Sequence, residues 1–446
     1  MKRKQALAAA ASLTALALLT TPVQAQRSKL PLDANGMPCR GVLDGAHQCI
    51  TPEEATSTPE HPYRPAGQSD PRLQDPVRGF NGGPKELLYA AVPGSIVVLD
   101  VKNNYDFVKR IPFEWEPAPI SPESISAMMT DPVTNMVYVS TRGHLVAIDL
   151  LTERVVWSKA YEPGTCCERG EVTPDGLHLV VGSDLKDFHR VINARTGEVE
   201  RIIPTPLSMY NHNMNLSADG KVDFAAPNGV TMTIADVDTG KTIKTITFPD
   251  HIRVFVINHD GSKIYANLNN LMGFAIADVK SGKVEKIVEE PGEMWKAKWA
   301  DANRVFYGHG APMHGIALTP DDCEVWIPDA INNQVLVYDN DGPEPTLDLT
   351  KSFKTNGAPN GWITMGLDGE RAYMASGDVI DVKTHKVIAQ VRDEYGRHMD
   401  SEKMQDIQFD GRGHVARVED QFSVGVPAAY AARQARARRT GGTGCS

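Results

Sequence analysis

After residue 25 the chain has no apolar run approaching the roughly 20 residues that a membrane-crossing helix needs, so no membrane span is expected. It lacks Cys-x-x-Cys-His, which removes the usual covalent haem attachment, and Gly-x-Ser-x-Gly, the nucleophile turn of α/β hydrolases. None of its 13 histidines stands four residues from another, so no single element carries a His-x-x-x-His metal motif. Positive charge is short as well. Against 56 Asp and Glu there are 46 Lys and Arg, a formal net charge of −10, which leaves no large basic face to attract phosphate backbones. Nucleic-acid binding is therefore not expected.

What is present begins with a leader. Lys2, Arg3 and Lys4 form a charged start, residues 6–19 an apolar run, and Val23, Gln24 and Ala25 a small-residue cleavage site, the pattern of a Sec signal peptide over residues 1–25. Removing those three positive charges from −10 leaves −13, so the mature chain is expected to be an acidic protein, periplasmic or secreted. In an oxidising compartment its six cysteines can pair. Cys39 and Cys49 bracket a short loop with too little apolar content to fold alone, and a local bridge is expected there. Cys166 and Cys167 are neighbours, and a bridge between them must span Cα atoms about 3.8 Å apart, below the usual range. Two free thiols, or a bridge from one of them to Cys323, are the alternatives. Cys323 and Cys445 have no evident partner in the spacing.

Residues 26–86 are rich in Pro and Gly and follow neither a period of 2 nor one of 3.6, which predicts an irregular N-terminal extension. From residue 87 to 426 a rhythm takes over. Seven times a strand, a turn built on Asp-Gly or a near relative, a strand ending in Tyr-Val or similar, and an apolar strand closing on Asp follow one another. A repeat of about 40 to 50 residues holding four short strands is the mark of a propeller blade. The fold class is therefore all-β: a seven-bladed β-propeller of four-stranded antiparallel blades, with eight blades as the alternative. The closing acids fall at Asp100, Asp149, Asp236, Asp278, Asp339 and Asp381, with Asn193 in the remaining slot, and each precedes a turn whose amides it can accept from. They are read as structural. Met404 to Phe409 is expected to pair with the first strands after Leu87 and so close the ring, which removes open sheet edges. The segment from His414 to Glu419 is left over, or replaces a strand of that blade. Residues 427–446, with Arg433, Arg436, Arg438 and Arg439, read as a disordered tail.

The stretches HGIALTPDDCEVWIPDAINNQVLVYD (314–339), NMVYVSTRGHLVAIDLLTERVVW (135–157) and GVTMTIADVDTGKTIKTI (229–246) resemble the Tyr-Val-Thr-Asn family of bacterial β-propeller repeats. The likeness is specific for fold and weak for activity. Similar repeats occur in non-catalytic secreted propellers, in accessory proteins of quinone-dependent alcohol oxidation, and in copper enzymes such as the nitrous oxide reductase propeller and the thiocyanate dehydrogenases, whose His-rich sites lie at the propeller axis. The tryptophan-docking repeats of quinoprotein alcohol dehydrogenases are missing, which speaks against bound pyrroloquinoline quinone.

Because each blade gives its first strand to the central channel, equivalent residues of different blades face one another near the axis. Aligning the Asp-Gly turns and stepping back along the inner strands gives Ser124, Glu168, His212, Arg253, His314, Gly361 and Lys403 as that ring, with His309 and His398 in the loops above it. Crowded ionisable groups must pair, bind water or hold a ligand. His212, His314, His309 and His398 are the candidate metal ligands, with copper expected and zinc or another divalent cation as the alternative. Glu168 is the candidate base, and Arg253 and Lys403 the candidate holders of an anionic substrate or intermediate. Each member also has a plain reading: His314 before Gly315 as a strand cap, Asn211-His212-Asn213 as a satisfier of buried backbone, Glu168 with Arg169 as an ion pair. The Cys166 and Cys167 thiolates, at the rim, are a further way to bind copper. Gly361 leaves a gap in the ring that could admit substrate, and the longest repeat, ending at His314, carries Glu293, Trp295, Lys296 and Trp299 as a lid, a docking loop or a cover. Three functions follow as expectations: a copper-dependent oxidoreductase acting on a small anionic or polar substrate, with a periplasmic redox protein as partner; a non-catalytic propeller that binds a ligand or docks an exported dehydrogenase; and a metal-assisted lyase or hydrolase.

Overall fold

The computed structural model describes residues 83–419 apart from 93–94, 113–124, 141–143, 163–165, 168, 184–185, 206–210, 228, 291–310, 357–360, 397–398 and 400, together with residues 42–43, 49–50 and Cys445. The chain divides into two units, Met1–Tyr63 and Arg64–Ser446. In the first, Val42–Leu43 pairs antiparallel with Cys49–Ile50. The leader, most of the extension, Cys39 of the expected Cys39–Cys49 bridge and the tail before Cys445 lie outside the described residues. Among the described residues no helix is long and apolar enough to cross a membrane.

The second unit is a seven-bladed β-propeller of antiparallel blades in a ring, each with a four-stranded core. Seven, not eight, is the count. Blade 1 is closed by the two ends of the repeat region: Met404–Phe409 is its inner strand and pairs with Lys85–Val92, Ala90 opposite Met404 and Lys85 opposite Phe409, followed outward by Ser95–Asp100 and Asp106–Pro112. The leftover segment replaces nothing. Val415–Val418 adds to the free edge of Met404–Phe409 as a fifth strand, covering an edge that would otherwise be open. The inner strands of blades 2 to 7 are Ala127–Asp131, Gly170–Val172, Asn211–Leu216, Ile252–Ile257, Ala317–Leu318 and Ile363–Met365. The inner strands of blades 2 to 7 touch in succession, Met404–Phe409 touches Ala127–Asp131, and the Tyr373 hydroxyl of blade 7 bonds Asp406 of blade 1, so the ring is continuous.

Burial explains the sequence pattern of each blade. Middle strands such as Met136–Ser140 and His144–Asp149 lie between neighbouring blades and are covered on both faces, so they read as apolar runs. Outer strands such as Arg154–Ala160 and Val199–Pro204 have one wet face and alternate. The aromatic slot of the second strand is filled by Tyr89, Tyr138, Phe224, Tyr265, Trp326 and Tyr373, all buried. Each side chain of this size removes some 150–250 Å² from water, the largest single contribution a blade makes to the core.

The closing corners behave as read. Asp149 accepts from the amides of Leu151 at 2.9 Å and Thr152 at 2.7 Å, Asn193 from Arg195 at 3.0 Å, Asp236 from Thr239 at 2.7 Å, and Asp381 from Thr384 at 2.7 Å. Asp100 caps the short 3-10 turn Val101–Asn103 in the same way. At Asp278 the Ser281 amide and hydroxyl, joined by Lys263, hold the carboxyl down at about 2. Just inside these corners, third and fourth strands slip register at the same place in blades 1 to 5 and 7. Such a bulge tightens the twist toward the rim. Blade 6 departs from the rule. Its third strand Gln334–Asp339 meets two short strands, Thr346–Leu347 and Phe353–Lys354, and Asp339 binds the Lys351 side chain.

Candidate functional site at the propeller axis

The N-terminal ends of the inner strands form one end of the channel, and among the described residues Arg253, His314, Gly361 and Lys403 of the aligned set stand at these strand heads. Arg253 is the second residue of its strand in blade 5 and is buried. Lys403 immediately precedes the inner strand of blade 1 and is buried, and His314, just ahead of the inner strand of blade 6, is 2% exposed. His212 lies in the inner strand of blade 4. Its side chain, and all of Ser124, Glu168, His309, His398 and the segment with Glu293, Trp295, Lys296 and Trp299, lie outside the described residues.

The group that the structure brings together is centred on Trp362 of blade 7. The Arg169 guanidinium lies 4.6 Å from its ring centroid and the Lys403 ammonium 5.0 Å, while the His314 ring is 5.6 Å away. Glu402 meets both cations, its Oε2 lying 3.0 Å from Lys403 Nζ and 3.6 Å from Arg169 Nη2. Arg169 also donates from Nη1 to the Ser126 carbonyl of blade 2 at 3.1 Å. Arg169 precedes the inner strand of blade 3, whereas Trp362 and Glu402 belong to blades 7 and 1. A single side chain can touch blades 2, 7 and 1 from blade 3 only by reaching across the channel. Two aligned residues, Lys403 and His314, thus meet here, and the other members, Arg169, Trp362 and Glu402, stand one place away from aligned positions.

Why this cluster is tolerated follows from its parts. Arg169 is 3% exposed and Lys403 6%, and a buried cation is costly unless a carboxylate or an aromatic face replaces its water. Here Glu402 and the Trp362 ring supply both, a cation–π contact being worth about 0.5–2 kcal/mol according to its desolvation. The backbone around His314 is gripped from blade 5 by Asn267, whose Nδ2 donates to the carbonyls of His314 at 3.2 Å and Gly315 at 2.7 Å. Blades 6 and 7 approach so closely at Gly315 that a Cβ there would fall 2.9 Å from the Gly361 carbonyl oxygen. His314 Nδ1 lies 3.3 Å from the same oxygen. With Nδ1 donating to that carbonyl, Nε2 carries the lone pair, the tautomer a metal-bound imidazole takes.

The two asparagines that flank His212 have backbone partners in the neighbouring blades. Asn211 donates to the carbonyls of Lys186 at 2.7 Å and Phe188 at 3.2 Å, and Asn213 to that of Phe255 at 3.4 Å, so both satisfy backbone between blades. Cys166 and Cys167 are bridged to each other. They are not a copper site at the rim: their side chains are buried among Met129, Tyr138, Leu145 and Leu179 between blades 2 and 3, and a disulfide offers no thiolate. Cys323 is bridged to Cys445, with Cα atoms 5.4 Å apart at a sequence separation of 122, at which spacing reveals nothing.

Sequence reasoning passed over Trp362, Glu402 and Asp406. The first two adjoin Gly361 and Lys403, so a window of one residue on either side of each aligned position would have found them. Asp406 lies farther along the inner strand of blade 1, where Tyr373 donates to its Oδ2 at 2.8 Å. Burial pushes its carboxyl up to about 7, nearby Glu86 adding to the rise. Gly366 leaves the room: a Cβ there would meet the Tyr373 ring at 2.9 Å and Asp406 Oδ2 at 3.1 Å.

Comparison with protein-family models and with curated sequences finds no match, so the functional reading rests on this geometry.

Proposed function

We propose that the axial end of the propeller is a binding site for a small anion, in an exported protein acting in the periplasm or outside the cell. The observation that carries this is the reach of Arg169 across the channel to Trp362 and Glu402, which sets two buried cations, Arg169 and Lys403, on one aromatic ring. Arg253 adds a third buried cation at the same end of the ring. Cations held by packing are already stripped of much of their water, so an incoming oxyanion gains more from them than from surface lysines.

A copper-dependent oxidoreductase is the enzymatic form of this proposal, supported by the Nδ1 contact of His314 and the tautomer it favours. Among the described residues no group of three His, Cys, Asp or Glu comes together. A metal would therefore draw on His212, His309 and His398 beside His314, with Glu168 as base. When bound, copper would supply one-electron transfer with a periplasmic redox protein as partner; Arg253 and Lys403 would orient the anion beside it. The non-catalytic binding propeller is the second reading, favoured by the buried cations Arg169, Lys403 and Arg253, which bind an anion by charge without a metal.

Metal analysis of the purified protein, paired with calorimetric titration of sodium sulfate, tests both layers. Copper bound by the wild type and lost in the His212→Ala/His314→Ala double variant supports the oxidoreductase. Sulfate binding without metal supports the binding module, and neither result would remove both.

A further inference from the structure

We infer that Glu402 is a built-in counter-ion that competes with the ligand, occupying the place between Arg169 and Lys403 that the ligand's oxyanion takes. The inference rests on the anion-site reading and adds what regulates it. The Glu402 side chain is 23% exposed while the two cations it meets are 4% and 7% exposed, so the carboxylate is the wet member of a dry cluster. Its hold on Arg169 is loose: at 3.6 Å from Nη2 it is beyond the 2.7–2.9 Å of a charge-assisted hydrogen bond. A Cβ built on Gly361 would find only Glu402 Oε1, at 4.0 Å, among its described non-neighbouring atoms. Gly361, the head of blade 7 without a side chain, therefore stands next to this carboxylate.

The physical consequence is specific. Without a carboxylate the buried guanidinium and ammonium would lose much of the compensation for their desolvation, so the empty site keeps its own. A small oxyanion taking that place restores the same charge pairing, and Glu402 can turn toward water because it is already partly exposed. Net affinity is then the difference between two carboxylate-like partners rather than the full attraction of two cations. A positively charged or neutral ligand gains nothing from this exchange, which makes Glu402 a filter for anions strong enough to displace it.

The test uses sodium sulfate and sodium acetate as probes, titrated at low ionic strength into the full protein and into Glu402→Gln, Glu402→Asp and Arg169→Ala. Glu402→Gln is expected to tighten anion binding about tenfold, the loss of a partly exposed competing ion pair. Glu402→Asp, which keeps the charge, is expected to stay within about threefold of wild type. Arg169→Ala is expected to abolish binding. Equal or weaker affinity in Glu402→Gln, with wild type binding normally, overturns the counter-ion role and leaves the anion site standing. Absence of binding in both wild type and Glu402→Gln overturns the two together. Circular dichroism melts of each variant ensure that a misfolded protein is not counted, and Glu402→Ser, tighter than wild type by the same argument, replaces Glu402→Gln should the latter fail to fold.

Discussion

The corner that closes each third strand and the head that opens each inner strand both recur around the ring, yet one is nearly uniform and the other is not. At the corners, Asp or Asn accepts from turn amides in every blade except blade 6. At the heads stand Arg169, Arg253, His314, Trp362 and Lys403, two arginines, a histidine, a tryptophan and a lysine with no residue type common to all five blades. A turn has the same unsatisfied amides wherever it occurs, so the same side chain solves it each time. The heads share no such task, because they face one another across a common space. The difference teaches where to look in a repeat protein: uniform positions hold the fold, and positions where the repeats disagree are free to build a site.

The comparison can be broken by substitutions that ought to affect one side and leave the other alone. The largest effect belongs to the repeated aromatic slot: Tyr138→Ala is expected to cost about 3–5 kcal/mol in denaturant unfolding while leaving sulfate affinity in the surviving folded fraction unchanged. Arg169→Ala should do the reverse, lowering sulfate affinity by more than about tenfold. A loss of stability as large as that of Tyr138→Ala, with binding intact, would make Arg169 a part of the scaffold.

Asp406 sharpens the contrast from inside the closure blade, in the strand that joins the two ends of the repeat region. Its carboxyl is raised to about 7 by burial, whereas in the unfolded chain it titrates near about 3.9. Between these values the unfolded chain has released the proton and the folded chain holds it, so this group lowers stability as pH rises through that window and adds no further change above it. Asp406→Asn is expected to remove that slope, making the variant more stable than wild type at pH 8 by roughly 1–2 kcal/mol; melting curves across the range decide it, and an unchanged slope would place the titration elsewhere. The smallest effect is at a corner. Asp149→Ala, removing its bonds to the Leu151 and Thr152 amides, should cost about 1 kcal/mol with no change in anion affinity.

The fold was legible because its signals are local and repeated. Asp-Gly turns, aromatic second strands and closing acids each identify themselves within a few residues, and ring closure by Met404–Phe409 follows from the need to leave no open edge. The fifth strand Val415–Val418 was harder to place, because a short polar-flanked run suits an inner edge as well as a replacement strand. At the site, alignment located the heads but not the contacts. It set Lys403, Gly361 and His314 around one space, yet the ring filling it is Trp362 and the cation crossing it is Arg169, since alignment on turns carries no information about which side of a strand head faces the axis. The Cys323–Cys445 bridge was invisible for a similar reason: nothing in a sequence separation of 122 residues encodes proximity.

The central claim is that Arg169 and Lys403, from blades 3 and 1, hold one anion at the channel end. A crystal structure of the protein soaked in selenate, read by the anomalous signal of selenium, addresses it directly. The account predicts a peak at the axis within hydrogen-bond distance of Arg169 and Lys403, with Glu402 turned away toward solvent. Selenium only at surface lysines, with Glu402 still between the two cations, would contradict it.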